Sequence, residues 1–378
     1  MQETAHTVLT RRRFLGAMGA AAAYGACGRQ SLGVEAGPAI ENAPHEALFY
    51  EPDEDKAVRC ALCPRRCTVP DGGYGYCRVR QNRGGKYYTL VYGRACAQNL
   101  DPIEKKPLFH VYPGTKAYSI ATVGCNVHCK FCQNWDISQA SPADVPVPYR
   151  SPADIADAAA KAGAKAIAYT YSEPTVFYEY MADCARAGQE RGLDSVVVSN
   201  GFIRDAPQRA LFPLVKAIKI DLKAFTQAFY GEVCGGALQP VLDTLKRLEG
   251  SGVWYEIVVL VIPTLNDNTD DLKRMSGWIV KELGPNVPVH FTRYQPLYQL
   301  RNLPPTPAET VLKARAIARE AGLHFVYTGN MPGLEGQDTE CPGCQKVVIA
   351  RYGYRITENN LAAGKCKFCG ATVPGVWG

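Results

Sequence analysis

Residues 124–135 read GCNVHCKFCQNW and place three cysteines, Cys125, Cys129 and Cys132, within eight residues. Tetrahedral zinc takes four ligands, and a 4Fe–4S cluster with a full set of protein ligands takes four thiolates. Three thiolates therefore predict a 4Fe–4S cluster in which one iron has no protein ligand and is open to a small molecule. The alternative is a zinc site completed by His128. That histidine directly precedes Cys129, which makes joint binding of one ion awkward.

The three-cysteine segment follows the first of a series of strands that alternate with amphipathic helices between residues 117 and 330. These strands are rich in valine, isoleucine and tyrosine, as parallel strands buried on both faces are. Their predicted ranges are Ala117–Val123, Lys165–Tyr171, Asp194–Asn200, Ala217–Leu222, Trp254–Ile262 and Pro288–Tyr294, with His324–Thr328 as a possible seventh. Six βα units in order predict an α/β fold whose parallel sheet curls into a partial (β/α)6 barrel. An open doubly wound sheet is the alternative.

Local signals mark the ends of the intervening helices. Ser151, followed by proline, predicts the start of one helix, and Gly163 predicts its end. Residues 306–309 read TPAE, a capping-box pattern that predicts the start of another helix. Helices between successive strands are the connections that parallel pairing requires.

Polar residues recur at the carboxyl ends of the predicted strands. Glu173 follows the second strand, Asn200 ends the third, and Asp221 and Lys223 lie at the end of the fourth. His290 lies on the sixth strand. Because the chemistry of such barrels takes place at the carboxyl ends of their strands, these side chains are expected to surround one site with the three cysteines.

Two further cysteine groups predict metal sites outside the barrel. The C-terminal group has two Cys-x-x-Cys knuckles separated by a β-rich stretch, which favours structural zinc in a zinc-ribbon or rubredoxin-like site. Mononuclear iron or disulfides are the alternatives for that group, whose members are Cys341, Cys344, Cys366 and Cys369. The N-terminal group has uneven spacing in a loop rich in glycine and proline, and it predicts either structural zinc or an auxiliary Fe–S cluster. Its members are Cys60, Cys63, Cys67 and Cys77.

Composition restricts the class of protein. The 378 residues are 47% hydrophobic and 21% charged, as in a globular protein. The net charge of +6 comes without a long basic run beside aromatic residues, so nucleic acid is not predicted as a partner. The fifteen cysteines fall in tight groups, which favours metal ligation over a disulfide framework. Cys96, Cys184 and Cys234 lie outside the groups and are predicted to be core residues.

The N-terminus differs in composition from the rest of the chain. Arg11 and Arg12 precede a short, alanine-rich apolar run, which resembles a twin-arginine export signal. Cys27 resembles a lipoprotein processing site, so membrane association is expected only through this leader. A basic leader without an export function is the alternative. The predicted organisation is a leader (1–27), a linker (28–56), an N-terminal cysteine-rich segment (57–114), the barrel (115–335) and a zinc-ribbon-like module (336–378).

Several segments resemble one family of enzymes. The CxxxCxxC motif, with Phe131 before its last cysteine, resembles the signature of radical S-adenosylmethionine (radical SAM) enzymes. Over roughly residues 58–378 the chain looks like the radical SAM member of the AmmeMemoRadiSam system, a group similar to pyruvate formate-lyase activating enzymes. The segments that carry this resemblance include DPIEKKPLFHVYPG, YTYSEPTVFYEY, IKIDLKAF, FYGEVCGG and YTGNMPG.

The resemblance implies a reaction. A reduced 4Fe–4S cluster on Cys125, Cys129 and Cys132 would cleave SAM to methionine and a 5′-deoxyadenosyl radical, which abstracts hydrogen from a substrate. The cofactor carries the difficult chemistry, and the protein binds and orients it. SAM and low-potential electrons are cytoplasmic supplies, so the resemblance favours the cytoplasm whereas the leader favours export.

The resemblance also implies roles for single residues. Glu173 stands where the family's Gly-Gly-Glu-Pro glutamate contacts the methionine amino group, and Tyr171 and Ser172 replace the two glycines. Asp221 and Lys223 match an Asp-x-Lys element that serves the methionine and ribose end of SAM. The other candidates for contact with cofactor or substrate are Asn200 and, on the adenosine or substrate side, His290.

The partners follow from the same resemblance. It implies a low-potential electron donor of the flavodoxin or ferredoxin type and two companion proteins of the AmmeMemoRadiSam system. The substrate is not specified. One alternative is an activating enzyme that generates a glycyl radical on a partner enzyme. A second is a non-catalytic, zinc-loaded interaction protein, which iron and sulfide content would distinguish from both enzymes.

Overall fold

A computed structural model describes residues 44–378 of the chain. The predicted leader, with Arg11, Arg12 and Cys27, lies outside the described residues, and so does most of the predicted linker. The described part comprises the N-terminal cysteine-rich segment, a large central sheet with its helices, and the C-terminal module.

Six short strands precede the central sheet and form two small antiparallel sheets, with strand orders β1-β6-β5 and β2-β3-β4. Their bounds are β1 His45–Glu46, β2 Tyr50–Pro52, β3 Val58–Cys60, β4 Thr68–Val69, β5 Arg80–Arg83 and β6 Lys86–Thr89. A 3-10 turn, Glu54–Lys56, connects β2 to β3. The linker prediction is therefore wrong for residues 45–56, because β1 pairs with β6 and β2 pairs with β3.

An eight-stranded sheet forms the centre of the described chain. Its strands are β7 Ala97–Pro102, β8 Lys116–Ala121, β9 Ala166–Tyr169, β10 Asp194–Ser199, β11 Ala217–Asp221, β12 Trp254–Val261, β13 Val289–Arg293 and β14 Val326–Gly329. Strand β7 pairs antiparallel with β8, and the seven strands from β8 to β14 are parallel. All seven predicted strands are confirmed. Each strand end lies within two residues of its predicted position.

The strands of this sheet lie side by side in their sequence order. A doubly wound sheet requires the order to reverse at one point, so that alternative is wrong. In the described chain, β7 and β14 are the two edges of the sheet. The observed fold is an α/β fold with a mostly parallel sheet that contains seven parallel strands, one more than the six of the predicted barrel.

Helices connect the parallel strands. Their bounds are α1 Trp135–Ser138, α2 Pro152–Lys161, α3 Tyr178–Gln189, α4 Asp205–Leu211, α5 Gln227–Phe229, α6 Leu238–Leu248, α7 Thr269–Leu283 and α8 Ala308–Glu320. Single 3-10 turns cover Ile103–Lys105, Pro174–Phe177 and Phe212–Leu214, and a π-helical turn covers Tyr230–Cys234. Within residues 44–378, no helix combines the length and the apolar character needed to cross a bilayer.

The two predicted helix starts have different outcomes. Ser151 caps α2 as predicted, since its hydroxyl accepts from Asp154 N at 3.1 Å and the Asp154 carboxylate accepts from Ser151 N at 2.8 Å. The capping box at Thr306 is wrong. The Thr306 hydroxyl donates to Val261 O at 2.6 Å and accepts from Tyr294 N at 3.0 Å, so it joins strand ends instead of capping α8.

The segment between β7 and β8 closes the amino end of the sheet. Ile103, Leu108 and Val111 pack against small residues at the starts of the strands, such as Ala117 and Ala166. Larger aliphatic side chains of the same strands pack against the helices and form the main core. The carboxyl ends of the parallel strands are therefore the end that remains for a site.

The C-terminal module packs on this closing segment. It contains β15 Thr339–Glu340, β16 Val347–Tyr352, β17 Arg355–Asn359, β18 Leu361–Ala362 and β19 Lys365–Cys366. Val376 N donates to His110 O at 2.7 Å, and Tyr112 N donates to Val376 O at 2.8 Å. Arg351 Nη2 donates to Phe109 O at 2.8 Å. These bonds fix the module at the end of the sheet opposite the carboxyl edge.

Buried His110 predicts a pH dependence of stability. Burial lowers the pKa of His110 to about 4, whereas an unfolded chain has a histidine pKa of about 6.5. Between these values the unfolded state binds the proton and the folded state does not, so stability falls as the pH decreases. We expect His110 to account for a loss of about 2 kcal/mol in the free energy of unfolding between pH 7 and pH 5.

Urea unfolding at pH 7 and pH 5 measures this loss. The His110→Gln variant should have a smaller change between the two pH values than the wild type. Equal changes in both proteins would show that another group is responsible.

Candidate functional site

The three predicted cluster cysteines lie on the loop that leads from β8 to α1. Gly124 opens this loop with φ of 98°, a conformation that glycine adopts far more readily than other residues. A Cβ atom at this position would lie 2.5 Å from Val79 Cγ1 and 3.1 Å from the Cys77 carbonyl oxygen, so a side chain does not fit. The loop therefore packs directly on the N-terminal cysteine-rich segment.

Cys125, Cys129 and Cys132 share one region at the carboxyl edge of the sheet. Burial raises the pKa of the Cys125 thiol, and the nearby Glu173 carboxylate and the other two sulfurs raise it further. Asn200 Nδ2 lies 3.8 Å from Cys125 Sγ. The fold thus brings the cysteine loop together with the polar ends of β9 and β10. Burial makes the charged thiolate form unfavourable at this site. Coordination to a metal centre would offset that free-energy cost, because the positive metal stabilises the deprotonated thiol.

Two groups to which the sequence assigns no role contact these cysteines. Cys132 Sγ lies 3.2 Å from Ser138 Oγ at the end of α1. A hydrogen bond from the Cys234 thiol lowers the pKa of Cys129. Cys234 is buried, as predicted for a core residue, but its carbonyl also accepts from His128 N at 2.8 Å. It is therefore a neighbour of the cluster loop.

Glu173 is buried at the end of β9, and protein donors occupy both of its oxygens. One oxygen accepts from Thr175 N at 3.0 Å, from Thr175 Oγ1 at 2.7 Å and from Ser199 Oγ at 2.7 Å. The other accepts from Asn200 N at 2.8 Å. Burial raises the pKa of Glu173 above its ordinary value. The carboxylate ties the ends of β9 and β10 together, and its predicted contact with a methionine amino group stays a prediction.

Tyr171 replaces a glycine of the motif, yet it takes a glycine-like conformation with φ of 65°. Its hydroxyl donates to Asp101 on β7, and its carbonyl oxygen accepts from Asn134 Nδ2 at 2.9 Å. Lys106 donates to the same aspartate at 2.5 Å and lies 4.6 Å from the centre of the tyrosine ring. These contacts hold the loop after β9 in its strained conformation.

Asn200 connects the end of β10 to the cysteine loop. Its Nδ2 donates to Asn126 Oδ1 at 2.8 Å, and its Oδ1 accepts from Phe202 N at 2.8 Å. Asn126 Nδ2 also donates to Phe202 O at 2.8 Å. The predicted cofactor-binding residue thus positions the residue that follows the first cysteine.

Asp221, at the end of β11, binds two lysines. Lys219 and Lys223 both donate to its carboxylate, Lys223 at 3.2 Å. Burial alone would raise the pKa of Asp221, but the two ammonium groups lower it below its ordinary value. Burial lowers the pKa of Lys219, whereas Asp221 and the Cys129 sulfur outweigh burial and raise the pKa of Lys223. The sequence could have indicated Lys219, because residues two apart on a strand lie on the same face.

Among the described residues predicted to surround the central site, His290 is the one that lies elsewhere. It is the second residue of β13, and its Nε2 is 2.6 Å from the Glu256 carboxylate. Glu256 also accepts from Phe109 N at 3.0 Å and from His110 N at 2.8 Å, in the segment that closes the amino end of the sheet. His290 belongs to that buried network. Its predicted contact with adenosine or substrate does not fit this position.

The C-terminal cysteines form a compact group. Cys341 Sγ lies 3.5 Å from Cys369 Sγ, and Cys344 Sγ lies 3.8 Å from Cys366 Sγ. All four sulfurs lie within 4.8 Å of one another, which suits a single metal ion. Sulfurs at tetrahedral zinc are about 3.8 Å apart, given Zn–S bonds of about 2.3 Å.

The residues at the carboxyl edge of the sheet fit a 4Fe–4S cluster with bound SAM. Cys125, Cys129 and Cys132 offer three thiolates, and in the described chain they do not form a compact ligand group like that of the C-terminal cysteines. Asp221 and Lys223 place opposite charges beside the cysteine loop, which suits the ammonium and carboxylate groups of an amino acid. This donor set supports a polynuclear centre with one open iron.

Comparison with known proteins agrees with this site. The Radical SAM superfamily matches residues 119–276, a range that includes the three cysteines, Glu173, Asn200, Asp221 and Lys223. An uncharacterized protein of Methanocaldococcus jannaschii is 43% identical over 330 residues, which cover 87% of this chain and 98% of that protein. The pyruvate formate-lyase 1-activating enzyme of Escherichia coli strain K12 is 23% identical over 226 residues, which cover 54% of this chain and 89% of the enzyme.

Among solved structures, a domain of pyruvate-formate lyase-activating enzyme from Bacteroides vulgatus matches with a TM-score of 0.39 and 16% identity. That match covers 44% of this chain and 99% of the domain. Sequence similarity, motif and site lead to one conclusion. The chain belongs to the radical SAM superfamily.

Proposed function

We propose that this protein cleaves SAM reductively at a 4Fe–4S cluster bound by Cys125, Cys129 and Cys132, and abstracts hydrogen from a substrate. The observation that supports this most strongly is the contact between the cysteine loop and the polar strand ends. Asn200 reaches Cys125, and Asp221 and Lys223 lie beside Cys129. A sheet whose parallel strands follow sequence order is also what a partial (β/α)6 barrel needs, and we propose that curvature as part of the fold.

A 4Fe–4S cluster held by Cys125, Cys129 and Cys132 would, when reduced, supply the electron for reductive cleavage of the carbon–sulfur bond of SAM. The chain's own residues bind and orient the cofactor. Lys223 supplies a charge for the methionine carboxylate, and Asp221, held between two lysines, fixes that ammonium. Glu173 and Asn200 keep the loops after β9 and β10 in place.

A second candidate function is the activation of a partner enzyme by formation of a glycyl radical. The similarity to pyruvate formate-lyase 1-activating enzyme over 89% of its length favours this candidate. An electron donor of the flavodoxin or ferredoxin type is proposed for either reaction. The companion proteins of the AmmeMemoRadiSam system also remain proposed partners. We further propose that the C-terminal cysteines bind zinc in a zinc-ribbon-like module.

The proposal is tested by anaerobic reconstitution of the full chain with iron and sulfide, followed by dithionite and SAM. We expect 5′-deoxyadenosine that depends on both additions, because radical SAM chemistry needs an electron and the cofactor. A reconstituted protein that contains iron but forms no 5′-deoxyadenosine would contradict the proposal. A protein that takes up zinc but no iron would favour the non-catalytic interaction protein.

The Lys223→Met variant should bind SAM more weakly. Lys223 is the charge proposed for the cofactor carboxylate, and a hydrogen bond to a charged group contributes about 1.5–3 kcal/mol, so the Kd should rise roughly 10- to 100-fold. Stability should change little, since Asp221 keeps Lys219 as its partner. Equilibrium binding of SAM to the reconstituted protein measures the effect. Lys216→Met, at an exposed site just before β11, is the matched control. An unchanged Kd for Lys223→Met would remove Lys223 from the proposed site.

The Cys234→Ala variant should keep the cluster and the cleavage of SAM. Cys234 donates a hydrogen bond to the Cys129 sulfur, and a hydrogen-bond donor is a neighbour of the cluster and not one of its ligands. Hydrogen bonds to cluster sulfurs influence the reduction potential, so its loss should make the potential more negative. Iron content and a redox titration measure both effects. A loss of iron as large as that of Cys125→Ala would make Cys234 a ligand.

A further inference from the structure

The four N-terminal cysteines line one small cavity. Cys60 ends β3, and its backbone N–H donates to Cys67 O at 2.9 Å, so the chain folds back and brings the two ends of the Cys60–Cys67 segment together. Cys63 and Cys77 lie on the same cavity wall, as do Arg65, Arg80 and Asn126. Residues with uneven sequence spacing thus share one enclosed space.

The wall of this cavity contains a donor without an acceptor. Arg80 is 1% exposed, and its Nε has no hydrogen-bond partner among residues 44–378. Its two other nitrogens bind Glu179 Oε2 at 2.6 Å and Leu48 O at 3.4 Å. A buried N–H without an acceptor costs about 1–3 kcal/mol. The sulfur atoms of a group bound in the cavity would accept this hydrogen bond and remove that cost.

The spread of the sulfurs indicates the kind of metal centre. Among the described residues, the C-terminal group is the one set of three or more histidine, cysteine or acidic residues whose ligand atoms all lie within 4.8 Å. Neither the N-terminal nor the central cysteines form such a compact group in the described chain. One zinc ion would hold them about 3.8 Å apart, whereas a 4Fe–4S cluster places each thiolate on a different iron.

We propose that Cys60, Cys63, Cys67 and Cys77 bind a second 4Fe–4S cluster. Four thiolates complete its ligand set, so this cluster has no open iron and serves as an electron-carrying or structural centre. The guanidinium groups of Arg65 and Arg80 on the cavity wall offset its negative charge.

The second cluster lies beside the loop of the first. Asn126 lines its cavity and directly follows Cys125 in sequence. Arg65 Nε donates to Asn126 O at 2.6 Å, and the Cys77 carbonyl oxygen lies against Gly124. The backbone between the two sites is therefore short and firmly held.

Metal content tests this inference independently of the proposed function. The variant with alanine at Cys125, Cys129 and Cys132 cannot bind the central cluster, so any iron that it keeps belongs to another site. After anaerobic reconstitution we expect about eight iron atoms per chain in the wild type and about four in this variant. Zinc should stay at about one per chain in both, from the C-terminal group. The iron of the variant should show the Mössbauer spectrum of a 4Fe–4S cluster.

A complementary variant covers the case in which the triple variant does not fold. Cys63→Ser with Cys67→Ser, in the wild-type background, should lower iron from about eight to about four per chain. Cys96→Ser, a half-buried cysteine outside the three groups, is the matched control and should keep all eight. Two zinc ions per chain and four iron atoms in the wild type, with no iron in the triple variant, would overturn the inference. So would an unchanged iron content in the double serine variant.

Discussion

The Cys125→Ala variant is expected to form no 5′-deoxyadenosine above background. Cys125 is one of three thiolates for a cluster that has no protein ligand to spare, and the buried Asn200 side chain 3.8 Å from its sulfur is not a replacement. Loss of residues around metal ligands costs about 10- to 100-fold in affinity or activity. Loss of a ligand should exceed about 100-fold. Liquid chromatography of the product after reaction with dithionite and SAM measures the effect.

The control for this variant is Cys96→Ala, which removes a half-buried cysteine outside the three groups and should keep full activity. Iron analysis separates the possible causes of a loss. If Cys125→Ala loses only the central iron and all cleavage, the three-thiolate site is supported. If it keeps full cleavage, Cys125 is not a ligand, and the proposed site is wrong.

Much of the fold follows from local sequence patterns. The seven parallel strands are short runs of buried aliphatic residues, and such runs are distinctive whether or not their neighbours are known. The segment AQNLDP of β7 does not predict a strand, because it is polar and ends in proline. It pairs with β8 at the edge of the sheet. An edge strand has a neighbour on one side only, so it tolerates proline and polar residues better than a central strand does. Strands β1 and β2 have two and three residues, which is too few for an alternating pattern to indicate a strand.

The positions of site residues were predictable from sequence where the residues lie at the ends of strands. They were less predictable where a residue lies inside a strand and its neighbours depend on the register between strands. Asp221 ends β11 and Lys223 follows it by two residues, and the fold places both by the cysteine loop. His290 lies three residues before the end of β13, so its side chain meets Glu256 on β12 and not the carboxyl edge. Strand assignment alone does not give this difference. Cys234 illustrates a second limit, because its contact with Cys129 comes from a turn about a hundred residues further along the chain.

The Glu179→Gln variant is expected to lose about 3–5 kcal/mol of stability. Glu179 on α3 binds Arg80 Nη2 at 2.6 Å, and both side chains are 1% exposed. Its other oxygen accepts from Leu48 N at 2.7 Å. Removing the carboxylate charge breaks a buried ion pair, which is far costlier than losing an exposed pair. Urea unfolding of the metal-loaded protein measures the loss. Glu190→Gln, just after the same helix and 76% exposed, should change stability by less than about 0.5 kcal/mol.

A double variant distinguishes the buried charge from the loss of packing. Arg80→Met with Glu179→Leu removes both charges and keeps similar volume, and replacement of a buried pair by apolar residues is often neutral. We therefore expect the double variant to recover most of the stability lost in Glu179→Gln. Recovery would identify the unpaired Arg80 charge as the cause. If the double variant is as unstable as Glu179→Gln, the unpaired Arg80 charge is not the cause. Because Arg80 also lines the cavity of the N-terminal cysteines, recovered stability with lowered iron content would show that its charge serves the second cluster.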